Sequence, residues 1–256
     1  MDFNLYSNIK GEGETLILLH GLFGSADNLG RIATELSNDF KVHALDLRNH
    51  GQSFHSDEMD YALMAQDVIN YMDFNTIESA CFIGHSMGGK VAMTLALEFP
   101  ERVRKLIVAD ISPVTYPAHH NEIFSGLLAI NLVRDKTRNA ADKVLAEYVG
   151  EKGVRQFLLK NLQTVVEGGL KWRVNLDAIY DNYKNILQGM KDDKVYKGSV
   201  LFIAGALSDY IKPEYKEKTL NLFPNTQMKV IPEATHWLHA EKPRIFIGIC
   251  KRFLEK

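Results

Sequence analysis

Five short stretches of this chain, residues 16–19, 42–47, 81–84, 106–109 and 200–204, are dominated by large aliphatic side chains with little polar alternation. A strand with one face in water shows a polar residue at every second position. A strand without that alternation is buried on both faces, as in a parallel sheet covered by helices. Amphipathic stretches at 29–36 and 61–74 separate the first three runs. Residues 87–99 read as a helix, with Val91, Leu95 and Phe99 on one face and Pro100 ending it. Ile245, Ile249 and Phe253 give the last helix a similar stripe. Apolar runs alternating with helical patterns predict an α/β fold with right-handed crossovers.

Residues 114–199 break this rhythm. They hold helical patterns around 122–133, 140–148, 154–166 and 176–187 and no convincing strand. A compact domain rarely contains so long a structureless loop, so the segment is expected to be a helical insertion. Residues 1–113 and 200–256 then form the core, with 114–199 as a cap set into it.

A chain of 256 residues with 46% hydrophobic and 24% charged side chains can bury one large core and is not a disordered sequence. Its net charge of −2, without a basic tail, gives no electrostatic case for nucleic acid or an anionic membrane as partner. No stretch approaches the roughly 20 apolar residues of a membrane span. The first residues lack the basic start and apolar run of a signal peptide. Cys81 and Cys250 cannot build a disulfide framework, and their scarcity fits a reducing compartment. The expected setting is the cytoplasm.

Gly84-His85-Ser86-Met87-Gly88 fits G-x-S-x-G, directly after an apolar run and directly before a helix. A nucleophilic serine requires that context. A strained strand-to-helix turn lifts its side chain clear of the sheet, small flanking residues permit the tight backbone, and the helix N-terminus favours developing negative charge. His20-Gly21-Leu22-Phe23-Gly24 follows the first apolar run, where a Gly-containing turn can aim backbone N–H groups at an oxyanion. Leu22 and Met87 are the candidate donors, with Phe23 as the alternative to Leu22.

His236 stands late in the chain, after the apolar stretch 228–231 and before the last helix, which suits a general base in the order Ser…Asp…His. His239 is the competing histidine. His85 flanks the serine too closely to be its base and reads as structural. Two aspartates compete as the orienting acid: Asp110, ending the strand after the nucleophile helix, and Asp209, following the next strand. Either strand end could bury a carboxylate against the imidazole. His119-His120 has no further ligand at metal spacing and reads as a solvated loop. Trp172, Trp237, Phe124, Phe157 and Tyr180 are candidates to line an acyl pocket.

The segments HGLFGS (20–25), DLRNHGQS (46–53), GHSMGGK (84–90), ADISPV (109–114) and HWLHAEKP (236–243) together resemble the α/β-hydrolase superfamily, and more closely the YbfF-type serine esterases. The resemblance runs from about residue 16 to the C-terminus. It implies an α/β-hydrolase fold: a mostly parallel, eight-stranded-type sheet flanked by helices, with the helical cap inserted after the sixth strand. The N-terminus is short for two full leading strands, so an abbreviated first edge is expected. The resemblance also implies a serine carboxylester hydrolase that cleaves small acyl esters or thioesters through an acyl-enzyme, with no metal or cofactor. The resembled subfamily offers an acid in a D-I-S/A-P segment that Asp110 matches, which favours Asp110 over Asp209. One departure is Asn49, where many members have Gly; Asn tolerates left-handed φ, so the turn can survive. Thioesterase, C–C bond hydrolase and perhydrolase chemistry share the fold, as do some ligand receptors, whereas an Asp-nucleophile mechanism is disfavoured by Ser86.

Overall fold

A computed structural model describes residues 4–133, 135, 137–165, 169–191 and 193–255. Residues 1–3 of the leading segment and Val166, the end of one expected helix, lie outside the described residues. The chain opens with β1 (Ser7–Lys10) and β2 (Thr15–Leu19), followed by α1 (Gly30–Leu36), β3 (Lys41–Leu45), α2 (Tyr61–Phe74), β4 (Ala80–His85), α3 (Met87–Glu98) and β5 (Val103–Ala109). Then come α4 (Asn121–Ala129), α5 (Arg138–Leu145), α6 (Lys152–Leu158), β6 (Leu162–Thr164), β7 (Leu170–Trp172), α7 (Leu176–Asp181) and α8 (Tyr183–Leu187). The chain returns as β8 (Ser199–Gly205), α9 (Lys216–Leu222), β9 (Thr226–Ile231), α10 (Leu238–Glu241) and α11 (Pro243–Leu254).

Among the described residues the main sheet has seven strands in the order β1-β3-β2-β4-β5-β8-β9. All neighbours are parallel except β1, a short antiparallel edge on β3. Among the described residues the sheet has seven strands in place of the eight expected, with a single short strand before β2, so the segment 114–199 follows the fifth strand of the chain and not the sixth. The apolar runs are the inner strands, and their side chains pack on both faces. Leu16, Leu18, Cys81, Ile83 and Ile107 meet a layer that includes Leu36 of α1 and Phe253 of α11. Ile17, Leu19, Phe82, Leu106 and Val108 face Val68 of α2 and Val91 of α3. Each fully buried aliphatic of this kind contributes roughly 1.5–3 kcal/mol relative to exposure. At the far edge β9 is mostly exposed, so Met228 and Val230 of the apolar stretch 228–231 face solvent.

Three local readings change in the folded chain. The core-facing stripe of α11 keeps the expected Phe253 but takes Phe246 and Cys250 in place of Ile245 and Ile249, and Ile245 is exposed. The stretch 176–187 is two helices, because the Asn182 side chain bonds the carbonyls of Asp57 and Ala178 at the junction. Among the described residues the regular structure of 114–199 is mostly helix but includes the strand pair β6–β7, whose three-residue strands are too short to show alternation in sequence.

The sheet order places the site. From β2 the chain moves to β3 on one side and later to β4 on the other. Loops leaving the carboxyl ends of β2 and β4 therefore part in opposite directions and leave a crevice, where ligands of open α/β sheets bind. The 20–24 turn leaves β2 at this crevice, and Ser86 leaves β4.

Candidate active site

Ser86 sits between β4 and α3 at φ 53°, ψ −119°. That conformation costs a non-glycine residue on the order of 1–3 kcal/mol. It is held from both sides. Ser86 N–H donates to Ala109 O at 3.0 Å, one step beyond the β4–β5 ladder, and Lys90 N–H donates to Ser86 O at 3.1 Å in the first turn of α3. The glycines of the motif are required by close approach. A Cβ on Gly84 would lie 2.2 Å from Gly88 O, and one on Gly88 would lie 2.3 Å from Leu19 O.

The 20–24 turn is fixed by two neutral histidines. His20 donates from Nδ1 to Gly21 O at 2.8 Å and accepts Leu47 N–H on Nε2 at 3.0 Å. His50 donates from Nδ1 to Arg48 O at 2.9 Å and accepts Phe23 N–H on Nε2 at 3.1 Å. Burial drives their pKa values down to about 4 and about 3, so both rings keep one acceptor nitrogen. The Phe23 N–H is thereby committed to His50. Leu22 and Met87 border the cavity beside Ser86. Asn49 takes φ 65°, and its carbonyl receives the N–H of Asn175 at 2.9 Å, tying the turn to the segment between β5 and β8.

His236 donates from Nδ1 to Asp110 Oδ2 at 2.8 Å. Asp110 is fully buried and lies just past the end of β5. Its Oδ1 accepts Gly205 N–H at 2.9 Å, and its Oδ2 also accepts the Ser208 hydroxyl. Asp209 is 96% exposed and lies 3.8 Å from Lys212, away from the imidazole. The His236 ring is stacked on Tyr210, with centroids 4.0 Å apart at 21°. His85 donates from Nε2 to His236 O at 2.9 Å and holds the loop that carries the imidazole. His239 is buried beside His85, at 4.2 Å between ring centroids, and burial lowers its pKa to about 4.

Ser86 and His236 border one cavity of about 70 Å³. Among the described residues the Ser86 hydroxyl has no hydrogen-bond partner. Such bonds are often long in a ligand-free site and tighten with substrate. Phe157 and Trp237, with centroids 4.4 Å apart, line this cavity. The other aromatic candidates do not. Phe124 is buried against Phe23 and Tyr183, Tyr180 is half exposed, and Trp172 borders a separate depression with Lys171 and Arg173. His119-His120 is not a free loop: both rings are hydrogen-bonded to tyrosines, and His120 borders the Ser86 cavity.

Lys90, on α3 one turn after Ser86, was not singled out from sequence. Its buried Nζ donates to Val114 O, Leu187 O and Gln188 O at 2.9, 3.2 and 2.5 Å. It thus joins the entry and exit of the segment between β5 and β8, and burial lowers its pKa to about 7. A lysine following G-x-S-x-G-G on a helix otherwise apolar up to Leu97 except for Thr94 is the available signal.

The fold is shared with known proteins. Residues 14–144 match the family described as the alpha/beta hydrolase fold. The chain is 40% identical to esterase YbfF of Escherichia coli over 240 residues, covering 93% of this chain and 92% of that protein. It is 39% identical to the sn-1-specific diacylglycerol lipase ABHD11 of Danio rerio over 254 residues, covering 96% and 80% of the two chains. A solved marine microorganism esterase superposes with a TM-score of 0.96 at 41% identity, covering 98% of this chain and all of that one.

Proposed function

The chain belongs to the alpha/beta hydrolase fold family, and from that premise we propose that it is a serine carboxylester hydrolase with Ser86 as nucleophile, His236 as general base and Asp110 as the acid that orients it. The three similar proteins named above are an esterase, a diacylglycerol lipase and an esterase. The single observation that carries the residue assignment is the 2.8 Å bond between His236 Nδ1 and the buried Asp110, in a fold where His236 shares a cavity with the strained Ser86.

With Nδ1 donating to Asp110, Nε2 of His236 is the nitrogen free to take the Ser86 proton. The Ser86 oxygen then bonds the substrate carbonyl carbon, and the carbonyl π electrons move onto its oxygen. The N–H groups of Leu22 and Met87 stabilise that oxyanion. Collapse breaks the bond to the leaving oxygen or sulfur, which takes the proton from Nε2. Water then gives a proton to Nε2 of His236 as its oxygen bonds the acyl carbon; collapse breaks the bond to the Ser86 oxygen, which takes that proton back from Nε2 as the acid leaves. Asp110 holds the imidazole in this tautomer and orientation.

The narrow cavity suits small acyl esters or thioesters, with short to medium acyl chains preferred, and residues 114–199 serve as its cap. No helix among the described residues is long and apolar enough to cross a membrane. The free, buried Cys81 and Cys250 suit a reducing compartment such as the cytoplasm. The test is Ser86→Ala against p-nitrophenyl acetate, with fluorophosphonate labelling of the wild type. Turnover should fall on the order of 10⁶-fold, and labelling should map to Ser86. Near wild-type turnover in the variant rejects the mechanism.

A further inference from the structure

Two adjacent histidines at the start of the segment between β5 and β8 are bonded so that each ring's proton has a defined place. His119 Nδ1 lies 2.8 Å from Pro117 O. A carbonyl only accepts, so Nδ1 carries the proton and Nε2 of the neutral ring is an acceptor. The Tyr210 hydroxyl, 2.5 Å from that Nε2, therefore donates to it and keeps lone pairs on its own oxygen. His120 has the opposite arrangement. The Tyr183 oxygen accepts the backbone N–H groups of His119 and His120 at 3.3 and 3.2 Å, so its hydroxyl proton points to His120 Nδ1 at 2.7 Å. His120 consequently carries its proton on Nε2, which has no partner among the described residues. Burial lowers the pKa of His120 to about 3, which keeps this ring neutral.

His120 and Tyr210 both border a small cavity of about 30 Å³ that reaches Ser86 and is not lined by Phe157 or Trp237. Each ring also packs against His119, at centroid distances of 4.1 Å for His120 and 5.4 Å for Tyr210. The residues bordering this cavity thus include one N–H donor and one oxygen acceptor, and the same cavity reaches the nucleophile. A hydroxyl group is a donor and an acceptor at once and matches both. An aliphatic group in its place would leave both polar atoms unpaired, which is how a buried site rejects an analogue lacking the hydroxyl.

We propose that this chain selects esters carrying a hydroxyl near the scissile bond, with His120 Nε2–H donating to the hydroxyl oxygen and the Tyr210 oxygen accepting its proton. The inference rests on the Ser86 reading of the site. The hydroxyl could lie on the alcohol or the acyl side of the ester, and two isosteric pairs distinguish these. They are 2-hydroxyethyl butyrate against propyl butyrate, and methyl 3-hydroxybutyrate against methyl 3-methylbutyrate.

The readout is the ratio of kcat/KM within each pair. In the wild type one hydroxylated ester should be favoured by about 10-fold or more, the effect of one well-made buried hydrogen bond. His120→Phe and Tyr210→Phe should each bring that ratio close to 1, and His120→Gln, which retains a donor, should keep part of it. A wild-type ratio near 1 in both pairs overturns the proposal. So does a His120→Phe variant that slows both members equally and preserves the ratio. If His120→Phe does not fold, the wild-type ratio and Tyr210→Phe still decide. Turnover surviving in Ser86→Ala would reject the nucleophile instead, while the ratios would continue to report on His120.

Discussion

His236 and Asp110, 126 positions apart in the chain, meet through a 2.8 Å hydrogen bond from Nδ1 to Oδ2. The same carboxylate accepts Gly205 N–H and the Ser208 hydroxyl, so it is buried with three donors around it. A carboxylate held in that way has one orientation, and it passes that orientation to the imidazole.

Amidation of this acid should be severe. Asp110→Asn keeps the shape but presents an amide to Nδ1, which favours the wrong tautomer and lowers turnover on the order of 10⁴-fold. Asp209→Asn alters only an exposed side chain near Lys212 and should leave turnover within about 2-fold. Steady-state rates on p-nitrophenyl acetate check both; collapse of Asp209→Asn with an active Asp110→Asn would transfer the role to Asp209.

Gly84→Ala should disrupt the turn that carries Ser86. The new methyl would approach Gly88 O to 2.2 Å, and its other near neighbours are backbone atoms of Gly88 and Gly89 that cannot rotate away. Turnover should drop at least 100-fold, since a displacement of about 1 Å costs that much. Wild-type kcat in a folded Gly84→Ala protein would show that the turn tolerates a side chain.

Lys90→Met should weaken the fold. The change removes the donor shared by Val114 O, Leu187 O and Gln188 O, and buried carbonyls left unpaired cost about 1–3 kcal/mol. Relief from burying an ammonium offsets part of this, so a net loss near the lower end is expected. The urea midpoint should fall; an unchanged or raised midpoint would mean that the lysine is not a net stabilising tie.

Stability should decline on mild acidification. Burial holds His20, His50 and His239 at about 4, 3 and 4 in the folded chain, against 6.5 when free. Below pH 6.5 the unfolded chain binds protons that these folded rings refuse, so their contribution is complete above 6.5 and is lost as pH falls toward 4. Each group can remove on the order of 1 kcal/mol per pH unit in that window. Urea midpoints at pH 7.5 and 5.0 test this, and equal midpoints would contradict the buried neutral state.

Much of the architecture was legible because it depends on neighbours in the chain. Apolar runs without alternation mark strands buried on both faces, and the expected helix at 61–74 is α2 itself, started by the Asp60 carboxylate on Leu63 N–H. Ser86, with glycine two positions to either side, is a local conformational requirement and can be read from five residues. What meets what was not legible in the same way. Whether Asp110 or Asp209 faces His236 depends on the β5–β8 pairing, which sets Asp110 N–H on Ile203 O at 2.8 Å and directs the carboxylate inward while leaving the next loop in solvent. The engagement of Phe23 N–H by His50 and the grip of Lys90 on both ends of residues 114–188 likewise join positions at least 24 apart. In α11 Phe246 and Cys250 take the places expected for Ile245 and Ile249 because the two candidate stripes lie side by side and meet at Phe253, and packing against the sheet chose between them. Periodicity records which residues avoid water; the distances and directions between their polar atoms are set only when strands lock in register and the chain closes on itself.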